Sequence, residues 1–342
     1  GPRGRRSGRR RRTGGGRVSP AVNDLYRFAW RHVHALPTPV GYGLFRAGAD
    51  VAWALHRLHA GVAGIGQLEK NLMRVLPASA GPAQMRRASR RAMRSYMRYF
   101  YEAFALTGTS EEQILARVRA DLSPRLRTDL QRDSIVLALG HMGNWDLVCA
   151  WACRRLSTVL TVAERLEPAD LFDQFVAFRE RLGMRIIGQG RGEKVFDRLV
   201  AAARDGGPYV IPLLADRDLS ASGVDVDLCG HTARFAAGPA ALAERLDLPL
   251  YTGTMHYERL SVERRRAAGS PWGLVLTLRE VPRPPGLSGR ELIVAHTRAW
   301  AAVMGPMLAE HAVDWHMLQA VFDADLDHER LARGHAAQEG RE

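Results

Sequence analysis

The hexapeptide HMGNWD, residues 141 to 146, carries an imidazole and a carboxylate five positions apart. An imidazole hydrogen-bonded to a carboxylate through one ring nitrogen keeps the other free to take a proton from a hydroxyl. The apolar run SIVLALG (134–140) reads as a buried strand ended by Gly140, and a helix begins at about Asn144 or Trp145. His141 then stands at the carboxyl end of a strand, where open α/β sheets hold their ligands. Asp146 falls in the first helical turn, where a negative charge is favoured. A tight turn through Gly143 could return the Asp146 carboxylate to the imidazole, with free amides at the helix start available for an oxyanion or a phosphate. The spacing alone leaves a second reading open, in which Asp146 only caps the helix and His141 is a satisfied strand-end residue. No G-x-S-x-G elbow, P-loop or post-strand G-x-G-x-x-G accompanies it, so those chemistries have no support.

The elements that would position this corner alternate along the chain. After SIVLALG come a helix over 145–155, the strand TVLTVAE, a helix over 168–182 and the strand MRIIG. A helix over 192–204 leads to the strand YVIPLLAD, which ends at Asp216. VDVDLCGHTARF alternates like a hairpin or an edge segment, GPAALAERL starts a helix, LPLYTGTMHY and WGLVLTLREV read as strands, and 288–311 is a long helix. This predicts an α/β fold: a central, mainly parallel or mixed sheet with helices on both faces. Helical sequence precedes it, including an uninterrupted stretch over 82–119.

Two amphipathic helices lie in front, one around DLYRFAWRHVHAL and one in YGLFRAGADVAWALHRLHAGVAGI. Their aromatic residues and interspersed cations suit an interfacial membrane helix as well as an ordinary core helix. The longest stretch free of Asp, Glu, Lys and Arg is the 14 residues from His32 to Phe45, too short to span a bilayer, so membrane contact is expected to be peripheral. Of the net charge of +13, eight arginines in the first 17 residues supply +8 and leave +5 for the rest. The first 17 residues have no apolar residue able to form a core, and the Arg-rich tail, residues 1–20, is expected to be disordered. An RNA-binding arm, an anchor to anionic lipid and low-complexity sequence without a role are its three readings. There are two lysines, Lys70 and Lys194, against 47 arginines, a skew of coding composition that weakens arginine as a sign of nucleic-acid binding. Cys149, Cys153 and Cys229 form neither a disulfide framework nor a metal-ligand pattern, and fit a reducing, cytosolic setting. The organisation expected is a single domain over 21–330, its 24–65 helices candidates for docking, and a C-terminal tail over 331–342.

Several blocks in order give the chain a resemblance: EKNLMRVL (69–76), SYMRYFYEAF (95–104), HMGNWD (141–146), TVAERL (161–166) and FRERLG (178–183). ADRDLSASGVDVDLCG (215–230), AAGPAALA (236–243) and DWHMLQ (314–319) complete it. Over residues 24 to 330 the chain resembles the H-x-x-x-x-D acyltransferases of glycerolipid and lipid A type. Within them it is similar to the actinobacterial acyltransferases of phosphatidylinositol mannosides.

That resemblance implies acyl transfer from acyl-CoA, as co-substrate and without a cofactor, to a mannose hydroxyl of a membrane glycolipid. It makes His141 the general base, oriented and charge-balanced by Asp146. Asp216 occupies the family's third acidic position, often a glutamate, and could receive a hydrogen bond from the histidine or from a substrate hydroxyl. Glu164, Arg165, Arg179 and Arg217 would line the cleft, the arginines pairing with lipid or CoA phosphates, with an ordinary surface salt bridge the other reading for Glu164, Arg165 and Arg179. AAGPAALA would border an acyl channel or a CoA groove, or simply pack closely, and the DWHML block would fix His316 in the core. A lipid acceptor also turns the 24–65 helices into membrane-docking elements at the cytoplasmic face of the cell membrane. The same chemistry on a lipid A precursor is the alternative, and RNA binding through the tail is the non-enzymatic one, with no nucleic acid expected as a partner.

Overall fold

The computed structural model describes residues 20–58, 64–164, 169–189, 195–329 and 332. The arginine tail lies outside the described residues. Four helices come first: α1 (Pro20–His32), α2 (Thr38–Arg57), α3 (Ile65–Val75) and α4 (Pro82–Ala105). Then follow α5 (Glu111–Arg117), β1 (Val118–Leu122), α6 (Leu126–Arg132), β2 (Ile135–Leu139), α7 (Trp145–Arg155), β3 (Thr158–Glu164), α8 (Ala169–Arg181), β4 (Arg185–Gln189), α9 (Val195–Arg204) and β5 (Tyr209–Leu214). The chain continues through the hairpin β6 (Val224–Leu228) and β7 (His231–Phe235), α10 (Gly238–Leu246), β8 (Leu250–Arg259), α11 (Val262–Ala268), β9 (Trp272–Glu280) and α12 (Gly289–Glu310).

β2 shows why the sheet carries helices on both faces. All five of its residues are buried. Because side chains alternate across a strand, Ile135, Leu137 and Leu139 join one apolar cluster, with Leu147 and Val148 of α7 and Phe178 of α8. Val136 and Ala138 join the other, with Leu199 of α9, Leu242 of α10 and Trp300 of α12. The seven strands run in the order β1-β9-β8-β2-β5-β3-β4, and β6-β7 form a separate two-stranded sheet. All neighbours in the large sheet are parallel except β8 and β9. The expected α/β fold is therefore the one formed.

The helix expected over 82–119 is not continuous. α4 stops at Ala105, Ser110 caps α5 with a capping box closed by Gln113, and the chain from Val118 becomes an edge strand pairing with β9. α2 presents two different faces. One side packs on α4, where Trp53 Nε1 donates to Ser89 Oγ at 2.8 Å and Arg94 holds Asp50 at 2.6 Å. Its other side leaves Val40, Leu44, Val51, Leu55 and Leu58 exposed in a helical stripe. Among the described residues one helix, α12, is long and apolar enough to cross a membrane. It buries Leu292, Trp300, Met304 and Leu308 against the rest of the fold.

Candidate active site

The register of β2 and β5 builds the centre of the site. Leu139 pairs with Leu214, and Ala215 N continues the ladder to Leu139 O at 2.9 Å. Two residues further on, at the carboxyl edge, the same register sets His141 beside Asp216. Asp216 is fully buried, and its Oδ1 lies 2.5 Å from His141 Nδ1. Its Oδ2 accepts from the His141 backbone N–H at 3.0 Å and from Trp315 Nε1 at 2.7 Å. Burial pushes the Asp216 carboxyl up, but the His141 charge and these hydrogen bonds outweigh it and leave the group below its ordinary range. For His141, burial opposes the imidazolium, and the Asp216 charge and hydrogen bond more than offset that, raising the imidazole above 6.5. An ionised Asp216 accepts the Nδ1 proton and fixes the tautomer, so the Nε2 lone pair is open on a side chain that is 46 % exposed.

Asp146 does not make the bond to His141 that the spacing suggested. Asn144 caps α7 by accepting from Leu147 N at 3.1 Å, and Asp146 in the first turn faces α8 instead. There its Oδ1 accepts from Arg179 Nε at 2.8 Å, while its buried Oδ2 has no hydrogen-bond partner. Arg179 lies over the Trp145 ring at 4.2 Å, so the pair is packed between α7 and α8 and fixes the helix that follows the histidine. The carboxylate that orients the imidazole is thus Asp216, and Asp146 supports the corner from behind.

The backbone of the corner is clamped by the segment 314–316. Gly143 N donates to Asp314 O at 3.0 Å, His316 N donates to His141 O at 2.7 Å, and Met142 bridges to Trp315. Gly143 holds φ at +56°, and a Cβ there would come within 2.8 Å of Met255 O, so only glycine makes this turn. Behind the clamp, Ser95 Oγ donates to Asp314 Oδ1 at 2.5 Å and sits 2.9 Å from His316 Nε2. With the hydroxyl proton given to Asp314, His316 Nε2–H must be the donor to Ser95. Burial first, then the Arg98 and His141 charges, push His316 down to about 3, which keeps it neutral. The DWHML block therefore does hold His316 against Ser95, and Trp315 reaches the His141–Asp216 pair through Asp216.

Sequence reasoning missed Glu102 altogether. It is 1 % exposed and accepts from Arg117 (2.5 Å), Tyr42 (2.6 Å), Tyr257 (3.0 Å) and Asn144 (3.1 Å). This buried carboxylate ties α2, α4, α5, β8 and the α7 cap together. A lone acidic residue in the aromatic run YMRYFYEAF was the available signal. Of the other expected residues, Glu164 ends β3, two strands from β2 in the sheet. Arg165 lies outside the described residues. Arg217 is half-buried and donates Nε to Ala320 O at 2.9 Å; burial lowers its pKa despite Asp216 beside it. Among the described residues no group of three His, Cys, Asp or Glu side chains is arranged for a metal ion. A cavity of about 450 Å³ lined by Arg74, Val75, Leu76, Pro77, Ala78, Cys229, Ala309 and Glu310 shares no residue with this centre.

The buried Asp216 carboxylate, the half-exposed His141 imidazole with one open nitrogen and the clamped strand-end turn stand together at the carboxyl edge of an α/β sheet. The chain belongs to the bacterial lipid A biosynthesis acyltransferase family, whose model matches residues 19–268, and thus to enzymes that acylate glycolipids. It is 36 % identical over 317 residues to a phosphatidylinositol mannoside acyltransferase of Mycolicibacterium smegmatis, covering 91 % of this chain and 95 % of that one. It is 34 % identical over 319 residues to the phosphatidylinositol mannoside acyltransferase of Mycobacterium tuberculosis, covering 92 % of each.

Proposed function

We propose that this protein transfers a fatty acyl group from acyl-CoA to a mannose hydroxyl of a phosphatidylinositol mannoside. The observation that carries the reading is the open Nε2 of His141, opposite an Nδ1 held by the buried Asp216. His141 Nε2 takes the hydroxyl proton as the oxygen attacks the thioester carbonyl, and the Asp216 charge balances the imidazolium that forms. That attack forms the C–O bond, and collapse of the tetrahedral intermediate restores the carbonyl and breaks the C–S bond. The imidazolium then returns its proton to the departing coenzyme A thiolate. The 36 % and 34 % identities to enzymes named for this acceptor support the mannoside. The lipid A description of the family favours a lipid A precursor as the second reading. Acyl-CoA should be assayed with a phosphatidylinositol mannoside, a lipid A precursor and an unrelated glycolipid, the products being weighed by mass spectrometry. The expected product is a mannose ester; acylation of the lipid A precursor alone would move the assignment to that acceptor.

The acceptor is met at the cytoplasmic face of the cell membrane, with the protein attached peripherally. The exposed stripe Val40, Leu44, Val51, Leu55 and Leu58 on α2, with Phe28 on α1, supports docking of these helices in the lipid interface. The double variant Leu44→Glu/Val51→Glu removes two apolar anchors of roughly 1.5 kcal/mol or more each. Its flotation with anionic phospholipid vesicles is expected to fall at least tenfold with an unchanged circular dichroism spectrum. Flotation equal to the parent protein would remove α2 from the docking surface.

A further inference from the structure

At the same edge of the sheet as His141, two arginines converge on one tryptophan. The parallel strand β8 runs past Gly253, the partner of Leu139, and ends at Arg259, whose antiparallel partner is Trp272 at the start of β9. The Arg98 guanidinium of α4 lies 3.5 Å from the Trp272 ring centroid and 4.5 Å from that of Tyr257. The Arg259 guanidinium lies 4.0 Å from the same indole. The indole therefore holds two cations at once, a fixed geometry for side chains that would otherwise be free to wander. Arg46 of α2 and Arg265 of α11 add their charges, both acting on Arg259. Partial burial first, then the charges of Arg98, Arg265 and Arg46, lower the Arg259 pKa, with Tyr42 opposing.

The carboxylates of this neighbourhood are already engaged. Glu102 is held by Arg117, and Glu258 pairs with Arg264 at 2.6 Å and Arg119 at 3.5 Å. The Arg98 and Arg259 side chains have no ion pair or hydrogen bond to any described residue. Like charges gathered at the protein surface repel, and an anion settling among them removes that cost. Guanidinium forks match the oxygens of phosphate in pairs.

The cluster also stands in line with the chemistry. Gly143 packs against Met255, and Arg98 rests on Tyr257, whose backbone N–H donates to Asp314 in the clamp behind His141. By register His141 is level with Met255, so Arg259 lies four residues beyond, about 13 Å along the strand at ~3.3 Å per residue. An acyl-CoA with its thioester at His141 carries its phosphates at some distance along the pantetheine arm. A phosphatidylinositol mannoside likewise carries its phosphodiester beyond the inositol and the reacting sugar.

We propose that Arg98 and Arg259, gathered on Trp272, form a binding site for a phosphate group of one of the two substrates. The proposal deepens the acyl-transfer reading and rests on it for the identity of those substrates. The test uses the full chain and the variants Arg98→Gln and Arg259→Gln, with Arg264→Gln, whose partner is Glu258, as a neighbouring control. Binding of free coenzyme A is followed by calorimetry. Binding of vesicles is followed by flotation, comparing phosphatidylinositol in phosphatidylcholine with phosphatidylcholine alone.

Loss of one guanidinium from a phosphate is expected to weaken binding about tenfold. Weaker coenzyme A binding with vesicle binding retained, and a matching rise in KM for acyl-CoA at nearly constant kcat, assigns the site to the donor. Loss of the phosphatidylinositol-dependent part of vesicle binding, with coenzyme A binding retained and KM raised for the glycolipid, assigns it to the acceptor. Arg98→Lys should recover part of the affinity in either case. If both glutamine variants bind both probes like the parent protein, the proposal is overturned. Arg259 is exposed, so its variant keeps the test open even if Arg98→Gln disturbs the fold. The binding measurements do not depend on turnover, so a failure of acyl transfer itself would be read separately.

Discussion

His141→Ala is expected to lower acyl transfer by about 10²- to 10⁴-fold, the range a positioned general base supplies. The fold should survive, because the imidazole is half-exposed and its backbone contacts, His141 N to Asp216 and His141 O to His316 N, remain available to alanine. Turnover is read as coenzyme A release, and the fold as an unchanged circular dichroism spectrum, because the buried Asp216 loses its charge partner and the unfolding midpoint falls. A variant with parental turnover would remove His141 from the mechanism. The parent protein supplies a further check through pH. The base acts when neutral, and Asp216 raises the imidazole above 6.5, so activity should climb with pH through a midpoint above that value. A midpoint below 6.5 would mean that the Asp216 charge is not felt at the base.

Asp216→Asn should be nearly as damaging, for a reason that its hydrogen bonds make specific. The Oδ2 position receives two donors, His141 N–H and Trp315 Nε1–H, so the single amide oxygen of asparagine settles there. The amide NH₂ then faces Nδ1 and forces the imidazole to accept at that nitrogen. The ring proton moves to Nε2, where the lone pair is needed. In serine hydrolase triads the equivalent change costs about 10⁴-fold in kcat by the same loss of tautomer. A comparable loss is expected here, with the acid limb of any remaining activity moved to lower pH. Asp146→Asn separates the two carboxylates. It leaves the imidazole's partner in place and strands Arg179, 9 % exposed, beside a neutral group. Breaking a buried pair from one side costs about 3–5 kcal/mol of stability, so this variant should unfold well below the parent protein while keeping its pH midpoint. The opposite outcome, a stable Asp146→Asn with a shifted midpoint and an indifferent Asp216→Asn, would return the orienting role to Asp146.

The two carboxylates also show where sequence reading runs out. The strand before His141, the helix after it and the strand ending at Asp216 follow from apolar runs and turn residues, which are local properties. The same holds for the hairpin of β6 and β7 and for the layered α/β fold. Which carboxylate meets the imidazole is not local. It depends on β5 rather than β3 lying beside β2 on that flank, and on a register of Leu139 with Leu214 that carries His141 level with Asp216. Sequence proximity favoured Asp146, but the Asn144 cap turns the first helical turn away toward Arg179. β1 was hidden in a helical pattern because an edge strand this short, with only Val118 fully buried, takes its identity from pairing with β9.

The amino-acid sequence by itself determined the alternation of strands and helices, the histidine at a strand end and the family to which the motifs belong. Those depend on residue types and spacings within one segment at a time. The tertiary structure decided the partner of the histidine, the clamp of residues 314–316, the Glu102 hub and the gathering of Arg98 and Arg259 on Trp272. Each joins side chains from segments distant in the chain, and only strand order and register bring such groups within hydrogen-bonding or ring-contact distance.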